Sequence, residues 1–103
     1  MNRIEQLNTF LAESPNDHFL IHALALEYVK IGDDENAENY FRKNLALDKN
    51  YVPTYLHLGK LLERKGRQDA AVAIYKSGMD AAKAVNDSHS FGELRSVYED
   101  HVF

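Results

Sequence analysis

The sequence contains no cysteine, which removes disulfide staples, a thiol nucleophile and thiolate metal ligation together. That absence fits a reducing cytoplasm, the expected location. No apolar run approaches the ~18 residues a membrane-spanning helix needs. The N-terminal MNRIEQLNTFLAES shows neither a long apolar stretch nor a small-residue cleavage site, so a soluble, non-exported chain is expected. Positive charge is also short, 12 Lys and Arg against 16 Asp and Glu for a net charge of -4. This weighs against general attraction to nucleic-acid phosphates or anionic lipid. There is no Gly-rich phosphate loop. No segment alternates apolar and polar residues with period two, so no strands are expected. Prolines number two, Pro15 and Pro53, and both are expected in first helical turns, where a missing N–H is harmless.

What is present is an ordinary globular balance over 103 residues, 45% hydrophobic and 27% charged, sized for a single domain spanning 1–103. The periodicity predicts about six helices. The first covers about Arg3 to Glu13, with Ile4, Leu7 and Leu11 on one stripe. The second runs from about Pro15, with Ser14 as its cap, to Ile31; Gly32 ends it and Asp33 and Asp34 cap the third, which reaches about Leu47. A fourth begins near Val52, carries Tyr55, Leu58, Leu61 and Leu62, and stops at Gly66; a fifth covers about Arg67 to Val85. Asn86-Asp87-Ser88-His89 is the clearest break. Ser90-Phe91-Gly92-Glu93 then reads as a capping box opening the last helix, with Phe91, Leu94, Tyr98 and Val102 on one stripe.

The chain also repeats itself. Slid along itself until Ile21 falls on Tyr55, it also places Leu24 on Leu58, Ala25 on Gly59, Tyr28 on Leu62, Gly32 on Gly66, Ala37 on Ala71 and Phe41 on Tyr75. Small residues at Ala25, Gly59, Ala37 and Ala71 let paired helices approach closely, while the large ones fill the space between pairs. One such pattern would be weak; two in register argue against an unrelated helical bundle.

With His18 and Val52 as first positions, this pattern resembles the tetratricopeptide repeat, a 34-residue helix-turn-helix unit. Gly78 fits the pattern in the second copy; Asn44 stands at a position usually small, and Lys49 and Lys83 where the family usually has Pro. Pro15 occupies that Pro position for a preceding unit. The resemblance implies an all-α fold of antiparallel helix pairs stacked as a short right-handed α-solenoid. Its parts would be an N-terminal helix in 1–14, repeats at 18–51 and 52–85, and a capping helix in 88–103. Two repeats are fewer than stacking normally requires, so the flanking helices are expected to cover the ends, the rival being a homodimer formed through them.

In this family the first helix of each pair lines the concave side and usually receives a peptide. The resemblance therefore implies groove positions at Phe19, His22, Ala23, Leu26, Val29 and Lys30, then Pro53, Leu56, His57, Lys60, Glu63 and Arg64. The candidate site is Phe19, His22, Leu26, Lys30, His57, Lys60 and Arg64. Lys30, Lys60 and Arg64 suit the carboxylates of a partner segment, and Phe19 and Leu26 suit an apolar side chain; the plainer reading is a solvated helix face. His22, Leu26 and His57 stand where one subgroup grips a terminal carboxylate with Lys, Asn and Asn, which argues against that specificity.

Other chemistry finds no support. His18 and His22 share a helix face at a spacing that can hold a metal, but neither an HExxH glutamate nor a third ligand accompanies them, so a surface pair is expected. Gly32-Asp33-Asp34-Glu35-Asn36 lacks the alternating order of a calcium loop. Glu27, Glu63, Asp80 and Glu99 have no matched acid–base partner, and Ser77, Ser90 and Ser96 no triad. Phe10, Tyr28, Phe41, Tyr55, Tyr75, Phe91 and Tyr98 lie on core stripes rather than forming a base-stacking platform. The expectation is a cytoplasmic adaptor that binds another protein or peptide, with no enzyme activity, cofactor, metal, nucleic acid or membrane.

Overall fold

A computed structural model describes residues 2–103, and among them every regular element is a helix. These are α1 (Arg3–Glu13), α2 (His18–Lys30), α3 (Asp34–Leu47), α4 (Val52–Arg64), α5 (Gln68–Ala84) and α6 (Ser88–Val102). The offset that carries the start of α2 onto the start of α4 also carries Lys30 onto Arg64 at their ends, so the sequence period is the structural period. The helices form two compact units, one ending at Asp48 and the other running from Lys49 to Phe103.

The connections explain why the helices stop where they do. After α2, Gly32 takes φ 78°, its N–H bonds the carbonyl of Val29 at 3.1 Å and the next N–H, of Asp33, reaches back to Tyr28 at 2.9 Å. The same pair of bonds follows α4, where Gly66 has φ 77° and Arg67 donates to the Leu62 carbonyl at 2.9 Å. Left-handed backbone at this position is what glycine adopts without a Cβ penalty. α5 ends identically with Asn86 at φ 59°, a role asparagine tolerates.

Two helix starts differ from expectation. α2 starts at His18 with Asp17 as its cap, the carboxylate accepting from Leu20 N–H at 3.1 Å, so Pro15 sits in the preceding turn rather than the first helical turn. Pro53 does occupy the first turn of α4. α6 starts at Ser88, ahead of the expected capping box, because Asp87 accepts from Ser90 N–H at 3.0 Å. A carboxylate is favoured at the positive end of a helix, and this one caps the helix ahead of Ser90.

That cap is a titratable element. The bond from Ser90 N–H, reinforced by the Ser90 side chain and the nearby His89, holds the Asp87 carboxyl below its ordinary range. A lowered carboxyl contributes stability above the unfolded-state pKa and loses it as pH falls through the folded value. The protection factors of the amides of residues 88–91, referred to the intrinsic exchange rate at each pH, should therefore fall in acid, and Asp87→Asn, which caps without titrating, should flatten that fall. An unaltered acid response in the asparagine variant would contradict the assignment.

In the first unit α1 lies on α2, burying Leu7 and Leu11 against Ile21 and Leu24, with Ile4, Leu20, Ala23, Tyr28 and Tyr40 around them. Each fully buried aliphatic side chain of this kind stabilises by about 1.5–3 kcal/mol. Tyr28 and Tyr40 stack across α2 and α3 with centroids 5.6 Å apart. Phe10, expected on the core stripe, is instead 53% exposed, since the face of α1 it occupies has no helix against it in this unit.

In the second unit α4 and α5 pair closely and α6 packs on α5, touching α4 as well. Gly59 marks the closest approach: a Cβ there would lie 2.1 Å from Cε1 of Tyr75. Gly78 does the same from the other helix, where a Cβ would meet Cβ of Tyr55 at 2.6 Å and Leu94 of α6 at 3.0 Å. The small residues let the paired helices approach as the sequence implied, but Tyr75 and Tyr55 fill space opposite them within the α4–α5 pair rather than only between pairs. α6 packs on α5 through buried Leu94.

Candidate functional site

The outer faces of the first helices, α2 and α4, carry the candidate residues. On α4, the helical rows place His57, Lys60 and Arg64 in solvent with Pro53, while Leu56 is half-buried. Beside them a cleft of about 320 Å³ opens between α4 and α6, lined by Val52, Pro53, Leu56, His57, Ser90, Glu93 and Leu94. Val52, Pro53, Leu56 and Leu94 supply its apolar lining, His57 stands on the α4 side and Ser90 and Glu93 on the α6 side, and His89 approaches Glu93 at 3.1 Å. Burial, reinforced by the positive charge of Lys60, pushes the pKa of His57 below its usual value.

Glu63, an implied groove residue, serves the interior instead. Its carboxylate accepts from the Tyr75 hydroxyl of α5 and is reached by Nε2 of His101 at 2.9 Å from α6, while the Tyr75 and His101 rings stack at 6.1 Å. Burial first, and then the Glu63 carboxylate, raise the Tyr75 pKa, so the phenol remains a donor. One carboxylate ties all three helices of the unit.

On α2, Phe19 is 66% exposed, Ala23, Leu26 and Val29 are half-buried, and Lys30 pairs with Glu27 at 3.2 Å. His22 departs from expectation. It is only 9% exposed, with its ring 5.8 Å from that of Phe41. His18 is half-buried, Nδ1 lying 3.0 Å from Oδ1 of buried Asn44. The two histidines are packing elements and not a surface pair. Asn44 replaces the small residue of the pattern because His18, where the second copy has Val52, gives it a polar partner; the joint departure of both positions was the available signal. Among the described residues no group of three or more His, Cys, Asp or Glu is arranged to hold a metal, and no helix is long and apolar enough to cross a membrane.

Sequence reasoning missed the α6 wall of the cleft, Ser90, Glu93 and Leu94. Its signal was present in the Phe91, Leu94, Tyr98 stripe, but α6 lies outside the register of the two repeats.

Comparison with known proteins agrees with this architecture. The sequence pattern of the tetratricopeptide repeat matches residues 20–51, and a second form of it matches residues 52–84. The solution structure of a tetratricopeptide repeat domain protein from Salinibacter ruber is 34% identical, covers 84% of this chain and 88% of its own, and superposes with a TM-score of 0.81. A crystal structure under the same description from that organism gives 34% identity, 82% and 94% coverage and a TM-score of 0.78. A protein from Bordetella parapertussis, 24% identical, covers 99% of this chain and 89% of its own with a TM-score of 0.83, a likeness of fold. Among curated proteins none matches. Repeats of this kind generally mediate protein–protein interaction, and proteins built from them are typically non-enzymatic. With two in-register matches and a 34% identical relative across most of its length, the chain belongs to the tetratricopeptide repeat family.

Proposed function

We propose that this protein is a cytoplasmic adaptor that takes a peptide or helical segment of another protein on the outer faces of its first helices, with no chemistry of its own. The observation that carries this reading is the α4–α6 cleft, with Pro53, Leu56 and Leu94 in its lining, on a helix that also exposes Lys60 and Arg64. An apolar side chain of the partner enters the cleft, and carboxylates flanking it pair with the α4 cations. Phe19, Leu26 and Lys30 give α2 a surface of similar composition within the first unit, whereas His22 packs on Phe41 and Glu63 holds Tyr75. A cytoplasmic setting accords with a chain that has no cysteine to oxidise.

The test separates binding from folding. Lys60→Glu combined with Arg64→Glu reverses charge at two exposed positions, where substitutions change stability by roughly 0.5 kcal/mol or less. Partner recovery in affinity capture from native extract should fall about tenfold or more, as expected when charge-assisted bonds worth ~1.5–3 kcal/mol are replaced by repulsion. The melting temperature should hold. Undiminished recovery by the folded variant would remove this face from the function.

A further inference from the structure

The seam between α4 and α6 is open at one end and shut at the other. Toward the starts of both helices it holds the cleft that Leu56, His57, Glu93 and Leu94 help to line. Toward their ends, Glu63 of α4 meets His101 of α6 at 2.9 Å, and the Tyr75 and His101 rings stack beside that contact. A helix laid lengthwise in the seam would run into this bridge, and a space of about 320 Å³ is small for an element about 10–12 Å across. An extended segment that drops one side chain into the cleft fits both constraints. The lining of Val52, Pro53, Leu56 and Leu94 suits an aliphatic anchor.

The two walls differ in charge. Glu93 is the one carboxylate in the lining; His89 reaches its Oε1 at 3.1 Å, and a carboxylate has a second oxygen to offer. On the other wall Pro53, Leu56 and Lys60 follow one row of α4. Lys60 is exposed and lies close enough to His57 for its charge to act on the imidazole. The cleft therefore has an anionic side on α6 and a cationic side on α4. In an extended chain the residues two before and two after an anchor point to the same face as the anchor, each ~6.8 Å from it along the chain. Those two positions are the ones that reach the walls.

We infer that the occupant of this cleft is an extended segment of mixed charge, its aliphatic anchor flanked by an acidic residue for Lys60 on the α4 side and a basic residue for Glu93 on the α6 side. The inference rests on the proposed use of the cleft by a partner and adds the chemistry of that partner. A doubly acidic segment sets a like charge against Glu93, and a doubly basic one sets a like charge against Lys60, so each loses one matched pair and gains one repulsion. The charge pattern thus selects among apolar segments that the lining alone would accept equally.

Four peptides, acetylated and amidated at their ends, supply the test: Asp-Ala-Leu-Ala-Arg, its reverse Arg-Ala-Leu-Ala-Asp, Asp-Ala-Leu-Ala-Asp and Arg-Ala-Leu-Ala-Arg. Titrations of the folded chain at low salt are followed by the amide shifts of Leu56, His57, Ser90 and Leu94. The better mixed peptide should bind about fivefold more tightly than either like-charged one, the upper end for one exposed ion pair, and the margin should close at about 1 M salt. Reading these amides alone sets aside the general attraction of the doubly basic peptide to a chain of net charge -4. Glu93→Lys, at an exposed position, should turn the preference toward the doubly acidic peptide, with helicity by circular dichroism unchanged. A like-charged peptide that shifts these amides with the affinity of the mixed ones, or a preference that survives Glu93→Lys, would overturn the inference and leave the use of the cleft standing. No shift at these amides with any of the four would remove both.

Discussion

Gly59→Val should destabilise the protein by about 3 kcal/mol, the upper end for over-packing a tight core. Even the first added carbon would sit 2.1 Å from Cε1 of Tyr75. That ring is fully buried, and its hydroxyl is held by Glu63, so it cannot swing aside without breaking the bond that joins α4 to α5. Helix propensity runs the other way, since glycine inside a helix is about 1 kcal/mol worse than alanine. Gly59→Ala is the informative companion. If propensity governed, it would stabilise; the contact geometry says that it destabilises. Urea denaturation decides the sign, and Tyr75→Leu supplies the second edge of a double-mutant cycle. Neighbouring sites couple by about 0.5–3 kcal/mol, so alanine should be tolerated far better once the ring is gone. Additive losses would mean that the ring is not what glycine accommodates.

Phe41→Ala should lower stability by about 3–5 kcal/mol, the range for emptying an aromatic site in a closed core. Phe41 is fully buried and shares its site with His22, so the loss combines transfer energy and a cavity. Against a total of roughly 5–15 kcal/mol for a small domain, such a loss approaches complete unfolding at elevated temperature. Thermal denaturation followed by circular dichroism should show a midpoint lowered by at least about 12 °C, at ~4–8 °C per kcal/mol. Phe19→Ala is the matched control, an aromatic on α2 that is 66% exposed, and should change stability by roughly 0.5 kcal/mol or less. The pair separates the interior of the repeat from its exposed face. A Phe41→Ala protein as stable as the Phe19 variant would refute the packing described for the first repeat.

Turn chemistry and helical period were legible because both are local. Gly32 and Gly66 carry left-handed backbone wherever the surrounding helices lie, and Asp33 caps α3 by accepting from the N–H of Asn36. Leu24, Leu58, Phe41 and Tyr75 were read as core from spacing alone, and all four are fully buried. At Phe10 the same spacing failed, because a periodic stripe is buried only where a second helix lies against it.

The candidate site divides along the same line. By itself the sequence determined the all-helical repeat, its period and the first-helix rows on which Phe19, Lys60 and Arg64 stand. Only the tertiary structure decided that His22 packs on Phe41, that Glu63 is drawn to Tyr75 and His101, and that α6 supplies Ser90, Glu93 and Leu94 as a wall of the cleft. A side chain's direction around its own helix follows from the regular helical turn, whereas its environment depends on which distant segment packs there, and no local propensity encodes that.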